Sequence, residues 1–225
     1  MKKYKNKIFT LFAILLILIG IVFVAYPFVE IEVDKKSISK NIDEWDKEKA
    51  KIVQNNKNYK DTYTDDKDKH IDKIQKDKEN ETSSNKDKYY TIQLDGKEMV
   101  GKIIEPNTNK QIPIIMGATE ENLLGGATLY DNGVFPGDKG TAIILGHRET
   151  TFGFLKNIKK SDIIEVQTLN NLYKFKVRKT YITTPEDESI LAQEEGPSMT
   201  LVTCYPFKYI GSAPERFIVK LDLVK

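Results

Sequence analysis

Residues 8–29 form a run of 22 positions without one charged side chain, dominated by Leu, Ile, Val and Phe and preceded by Lys2, Lys3, Lys5 and Lys7. At about 1.5 Å per residue a helix of that length covers the hydrocarbon core of a bilayer. A buried soluble helix has no use for an apolar surface all the way round. A cleaved signal peptide shares the basic start, but its apolar region is usually shorter. Cleavage also wants small residues at alternate positions, and Ala25 has Phe23 two places before it. Residues 1–29 are therefore read as a basic cytoplasmic start and a retained single-pass anchor, with the following residues outside the membrane.

Composition inverts after the anchor. Residues 30–88 carry 16 acids and 15 bases with few large apolar side chains. Such a stretch is expected to be a solvated extracellular spacer, because it buries too little apolar area to offset chain entropy. Trp45 and Ile52 could punctuate a short helix over 42–53. His70, inside this spacer, reads as an exposed histidine without a task. The net charge of +2 argues against a nucleic-acid partner. A single cysteine and two histidines leave no disulfide framework, four-Cys zinc site or redox pair.

From residue 89 onward Gly, Pro and Asn punctuate short apolar stretches, the pattern of a small β-rich barrel or sandwich. Strands are expected at 90–94, 101–104, 141–145, 163–168, 173–183, 199–204 and 216–224, and short helices at 120–124 and 152–158.

Three residues stand out for chemistry. Cys204 ends an apolar strand just before Tyr205-Pro206, where a rigid scaffold can hold a reactive group beside a loop. An unpaired thiol outside the cytoplasm is an oxidation liability, which sets it apart from an inert half-buried cysteine. Arg216 starts a strand whose Phe217, Val219, Leu221 and Leu223 alternate toward a core, leaving Arg216 on the opposite face. If the two strands pair antiparallel, Cys204 and Arg216 share the loop end. Taken alone, Arg216 reads as a surface residue at a strand start. His147 follows the apolar strand 142–145, where a structural role is the commoner one, and spacing alone does not bring it to Cys204.

Together these residues resemble the sortase family. Thr200-Leu201-Val202-Thr203-Cys204 matches its Thr-Leu-x-Thr-Cys signature, Arg216 falls at the expected interval, and Gly146-His147-Arg148 matches the histidine region. The run 204–217 is most similar to class D sortases, and no Asp-Pro-aromatic lid motif of the class C type occurs. The resemblance implies a closed eight-stranded β-barrel with short helices over 89–225, in which the His and Cys strands are parallel neighbours. It implies a cysteine transpeptidase that cuts a C-terminal Leu-Pro-x-Thr-Gly-like sorting signal through a thioester on Cys204. His147 would protonate the leaving amine and Arg216 would hold the substrate carbonyl. Thr203 and Leu201 would bind substrate or support the site. The implied partners are secreted proteins bearing the signal and an amino group of a peptidoglycan precursor, at the wall side of a Gram-positive type membrane.

No cofactor is expected, with stimulation by a divalent cation left open. The acidic clusters at 120–121, 186–188 and 194–195 could contribute calcium ligands but read better as solvated loops. Two other functions compete: an L,D-transpeptidase type enzyme, whose Ser-x-Gly-Cys motif is missing here, and a non-catalytic anchored wall-binding domain.

Overall fold

The computed structural model of the chain describes residues 2–63, 91–105, 108–208 and 211–224. One helix, α1 (Lys2–Tyr63), is followed by β1 (Ile92–Leu94), β2 (Lys97–Glu105), β3 (Lys110–Met116), α2 (Glu120–Gly125), β4 (Ala127–Leu129) and β5 (Gly140–Leu145). A 3-10 turn (Gly153–Asn157), β6 (Ile163–Thr168), β7 (Leu172–Thr183), a second 3-10 turn (Glu188–Leu191), β8 (Pro197–Tyr205) and β9 (Glu215–Leu223) complete the chain.

The strands run in the order β2-β3-β4-β5-β8-β9-β7-β6, and β6 returns to pair with β2. That is the expected closed eight-stranded barrel, with β1 as a short extra strand hairpinned onto β2. Closing the seam requires Gly101, because a Cβ there would stand 2.3 Å from the Gln167 carbonyl oxygen. The interior is filled by alternate residues such as Ile103, Ile112, Ile144, Val166, Phe175, Leu201 and Val219, each fully buried.

Two strands are absent from the sequence expectation, and the reason is local. Strand β3 contains Pro113, which argues against a strand, and β4 has only three residues. The close approach of Gly126 to Pro113, where an added Cβ would lie 2.7 Å from the proline carbonyl oxygen, lets the chain turn from α2 into β4.

A larger difference concerns the spacer. Helix α1 does not stop at the apolar run but continues to Tyr63. Trp45 is fully buried in a cluster with Ile92, Met99, Ile115 and Leu169. Asn41 donates to the Gly125 carbonyl at 2.8 Å, and Lys49 donates to that of Thr168 at 2.8 Å. The buried Lys102 ammonium binds Asp46 at 2.6 Å. The expectation of a solvated spacer thus fails over 31–52, because apolar residues one helical stripe apart find a partner surface on the barrel. His70 and the boundary near residue 88 lie outside the described residues.

Candidate active site

Strands β5 and β8 are parallel neighbours, with Leu145 opposite Val202. Their C-terminal ends therefore reach the same rim, and the next residues are Gly146-His147 on one strand and Thr203-Cys204 on the other. Two hydrogen bonds lock these ends together. The Gly146 amide donates to the Val202 carbonyl at 3.1 Å, and the Thr203 hydroxyl donates to the Gly146 carbonyl at 2.7 Å. The residue before the cysteine thus holds the residue before the histidine. Gly146 must be small, since a Cβ would stand 2.7 Å from the Phe152 ring.

Arg216 lies directly across from Cys204 on antiparallel β9. Its guanidinium donates to the carbonyls of Ala213 at 3.2 Å and Glu215 at 3.0 Å. His147, Cys204 and Arg216 are each half-buried, so all three can be reached from solvent. Beside Cys204 the rings of Tyr205, Phe207 and Phe217 pack with centroids 5.2–6.3 Å apart and firm up the strand end.

A groove of about 250 Å³ opens at Arg216, between Tyr130, Leu145 and Val202 on the barrel and Ile190 and Leu191 on the segment before β8. It is mainly apolar, with Arg216 and the acids Glu186, Asp187 and Glu188 also in its lining, and its shape suits an extended peptide. Leu201 does not line it; that side chain is fully buried in the barrel interior, so it supports the strand without touching substrate. A smaller cavity of about 130 Å³ lies beside Asn170 and Tyr173, away from these residues.

The outer wall of the groove is tied down by polar contacts. Glu194 pairs with Arg178 at 2.5 Å, the Gln193 side chain accepts from the Thr141 amide at 2.9 Å, and Asp187 accepts from the Ser189 amide at 2.9 Å. Lys220, only 5% exposed, donates to the Ile190 carbonyl at 3.3 Å. Burial pushes the Lys220 ammonium below the ordinary lysine range, while the hydrogen bond from Arg178 holds the Glu194 carboxyl low. Hydrogen bonds from Thr183 and Ser189 do the same for Asp187. Two of the acidic clusters considered for calcium therefore have a member engaged by internal donors. Glu120 and Glu121 sit in the first turn of α2, a favourable place for carboxylates. Among the described residues no three His, Cys, Asp or Glu side chains converge as a metal-holding group.

Sequence reasoning missed several residues that shape the site. Arg148, 6% exposed, donates to the Pro206 carbonyl at 2.8 Å and the Gly211 carbonyl at 3.3 Å and pairs with Glu149, joining the histidine loop to the loop after Cys204. Lys110 donates to the Thr150 carbonyl at 2.6 Å and holds the same loop from β3. Burial, with Lys35 nearby, lowers the Lys110 pKa. Asp34 of α1 lies within electrostatic range of His147, and burial raises the Asp34 pKa. Arg148 stood in the quoted motif; nothing local marked Lys110 or Asp34.

The Sortase domain family matches residues 103–224. Sortase D of Bacillus subtilis is 32% identical over 115 residues, covering 51% of this chain and 58% of the relative, so the chain spans about three fifths of that protein's length. The solved sortase A of Listeria monocytogenes is 28% identical over 56% of this chain and 88% of its own, with a TM-score of 0.51. The Clostridium perfringens sortase D5 transpeptidase shares the fold at 20% identity and a TM-score of 0.55, covering 86% of this chain and 99% of its own.

Proposed function

The chain belongs to the sortase family, and on that premise we propose that it is a membrane-anchored cysteine transpeptidase acting on secreted proteins with a C-terminal Leu-Pro-x-Thr-Gly-like signal. The observation that carries the reading is the shared rim: parallel β5 and β8 end there, with His147 two residues past Leu145 and Cys204 across the ladder from Arg216. A free cysteine is mostly protonated near neutrality, and cationic neighbours favour the nucleophilic thiolate. The Cys204 thiolate adds to the Thr carbonyl, and the oxyanion that forms is held by the Arg216 guanidinium. Collapse breaks the peptide C–N bond as His147 gives its proton to the departing amine. An amino group of a peptidoglycan precursor then attacks the thioester and returns its proton to His147, releasing the cysteine and joining protein to wall. Arg216 cannot be the acid, because a guanidinium does not ionise in this range.

The reading needs no cofactor. Thr203 serves by fixing Gly146 and hence the approach of the two catalytic residues. The anchor places the basic start in the cytoplasm and the barrel on the wall side of a Gram-positive type envelope. Incubating the detergent-solubilised chain with a panel of sorting-signal peptides and a short amine, followed by mass spectrometry, tests the reaction. Expected are an acyl adduct on Cys204 and a peptide joined to the amine. Cys204→Ala must form neither; substantial cleavage by that variant would end the assignment.

A further inference from the structure

Helix α1 carries both the apolar run and the barrel's docking contacts, so the distance between bilayer and catalytic rim is set by counting residues. The contacts come in order along the helix. Asp34 lies within electrostatic range of His147. Lys35, Ile38, Ser39 and Ile42 form one wall of a cleft of about 470 Å³, whose other wall includes Lys110, Glu149 and Thr150, next to the histidine. Asn41 then meets Gly125, Trp45 fills the pocket at Met99 and Ile115, and Lys49 reaches Thr168. The helix therefore passes the catalytic end of the barrel first and the opposite end last.

The apolar run ends at Val29, followed by Glu30, Glu32 and Asp34. At 1.5 Å per residue, Asp34 lies about 8 Å beyond that boundary and Lys49 about 30 Å beyond it. The lysines at 2, 3, 5 and 7 and the acids at 30 and 32 bracket the run, so it cannot slide by a turn without dragging charge into hydrocarbon. The polar layer of a bilayer is itself about 5–8 Å deep on each side.

We propose that residues 30–52 of α1 are a rigid pedestal that holds the His147–Cys204 rim against the headgroup surface, with the lipid surface forming the floor of the site. The proposal rests on the anchor and active-site reading above and adds a length rule. It follows that a substrate inserted in the bilayer by an apolar segment must present its scissile bond within a few residues of that segment. An extended chain covers about 3.3–3.6 Å per residue, so about three residues span the gap. A flexible spacer would impose no such rule.

The test uses the full chain reconstituted in phosphatidylcholine–phosphatidylglycerol vesicles. A variant with eleven helix-forming residues inserted between Val29 and Glu30 keeps the docking face in phase and lifts the barrel by about 16 Å. Substrates are a sorting signal on a soluble peptide and the same signal fused to an apolar tail through spacers of 2 or 15 residues. Native and lifted chains should cut the soluble peptide equally. The lifted chain should lose at least tenfold on the short-spacer substrate and recover on the long one; equal rates on the short spacer overturn the pedestal. A second readout does not depend on catalysis. Cys204 is the only thiol, so a dye placed there reports its distance to headgroup-quencher lipids. Quenching should be strong in the native chain, weak in the lifted chain, and weak for a dye in Cys204→Ala/Asn170→Cys at the far end. Equal quenching at Cys204 and at position 170 overturns the proposal even if no peptide is cut, whereas strong quenching without cleavage would count against the transpeptidase reading alone.

Discussion

Helix α1 and segment 184–196 both lie against the outside of the barrel, yet they are held by opposite means. The helix is pinned at its centre by Trp45, fully buried among Ile92, Met99, Ile115 and Leu169, with its Nε1 lacking a partner among the described residues. Around that plug Asn41 donates to Gly125 and Asp46 pairs with the buried Lys102, whereas the Lys40–Asp95 pair lies at the exposed margin, where ion pairs contribute little. The segment has one apolar plug, Ile190 against Ile143, Val202 and Ile218, and is otherwise held by Arg178–Glu194, Lys220–Ile190 and the Asp187 cap. An apolar hold is indifferent to pH and sensitive to volume; a polar hold has the reverse sensitivities. The first suits a permanent mount, the second a groove wall beside a site that must admit substrate.

The largest expected effect is at the mount. Trp45→Ala should destabilise the docked helix by about 3–5 kcal/mol through lost transfer energy and cavity. Hydrogen exchange should show this as opening of residues 31–52 and of the barrel surface beneath them. A chain starting near residue 86 should for the same reason expose Ile92, Met99 and Ile115 and self-associate. Monodisperse behaviour by light scattering would show that the apolar hold is dispensable.

Next comes acid. Glu194 and Asp187 have folded pKa values depressed by their donors, so their contribution is present above the usual carboxylate range and lost as pH falls through the depressed values. Below about pH 4 the segment should loosen while α1 stays docked. Limited proteolysis across pH reads this directly, and simultaneous release of both would erase the distinction.

Smaller still is Arg178→Met. The pair is over one-third exposed, so stability should fall by no more than about 1 kcal/mol. KM for a signal peptide should nonetheless rise several-fold at unchanged kcat, because the groove wall loses its tie. The smallest change is Trp45→Phe. Removing an unpaired buried N–H offsets part of the lost volume, and thermal denaturation should move by about 1 kcal/mol or less.

Much of the fold and part of the site were legible from local pattern. The strand alternation of 217–223 and the pairing of Cys204 with Arg216 follow from period two and a hairpin return. Outward-facing Ile218 and Lys220, however, are buried, because segment 184–196 covers that side. The α1 mount had a legible signal of its own: Ile31, Ile38, Trp45 and Ile52 recur every seven residues on one helix face. Charge density around them masked it, since a composition average cannot register a stripe one residue wide.

The chain by itself determined an apolar helix long enough to cross a membrane, most of the barrel strands and the order of His147, Cys204 and Arg216, because these depend on near-neighbour periodicity and motif spacing. Only the tertiary structure decided that Thr203 holds Gly146, that Arg148 and Lys110 brace the histidine loop, and that Asp34 comes within electrostatic range of His147. Each of those contacts joins residues 40 to 113 positions apart, except that none is repeated along the chain. A contact without a period leaves no pattern to read; it exists only once barrel closure has brought the strand ends and the helix to one rim.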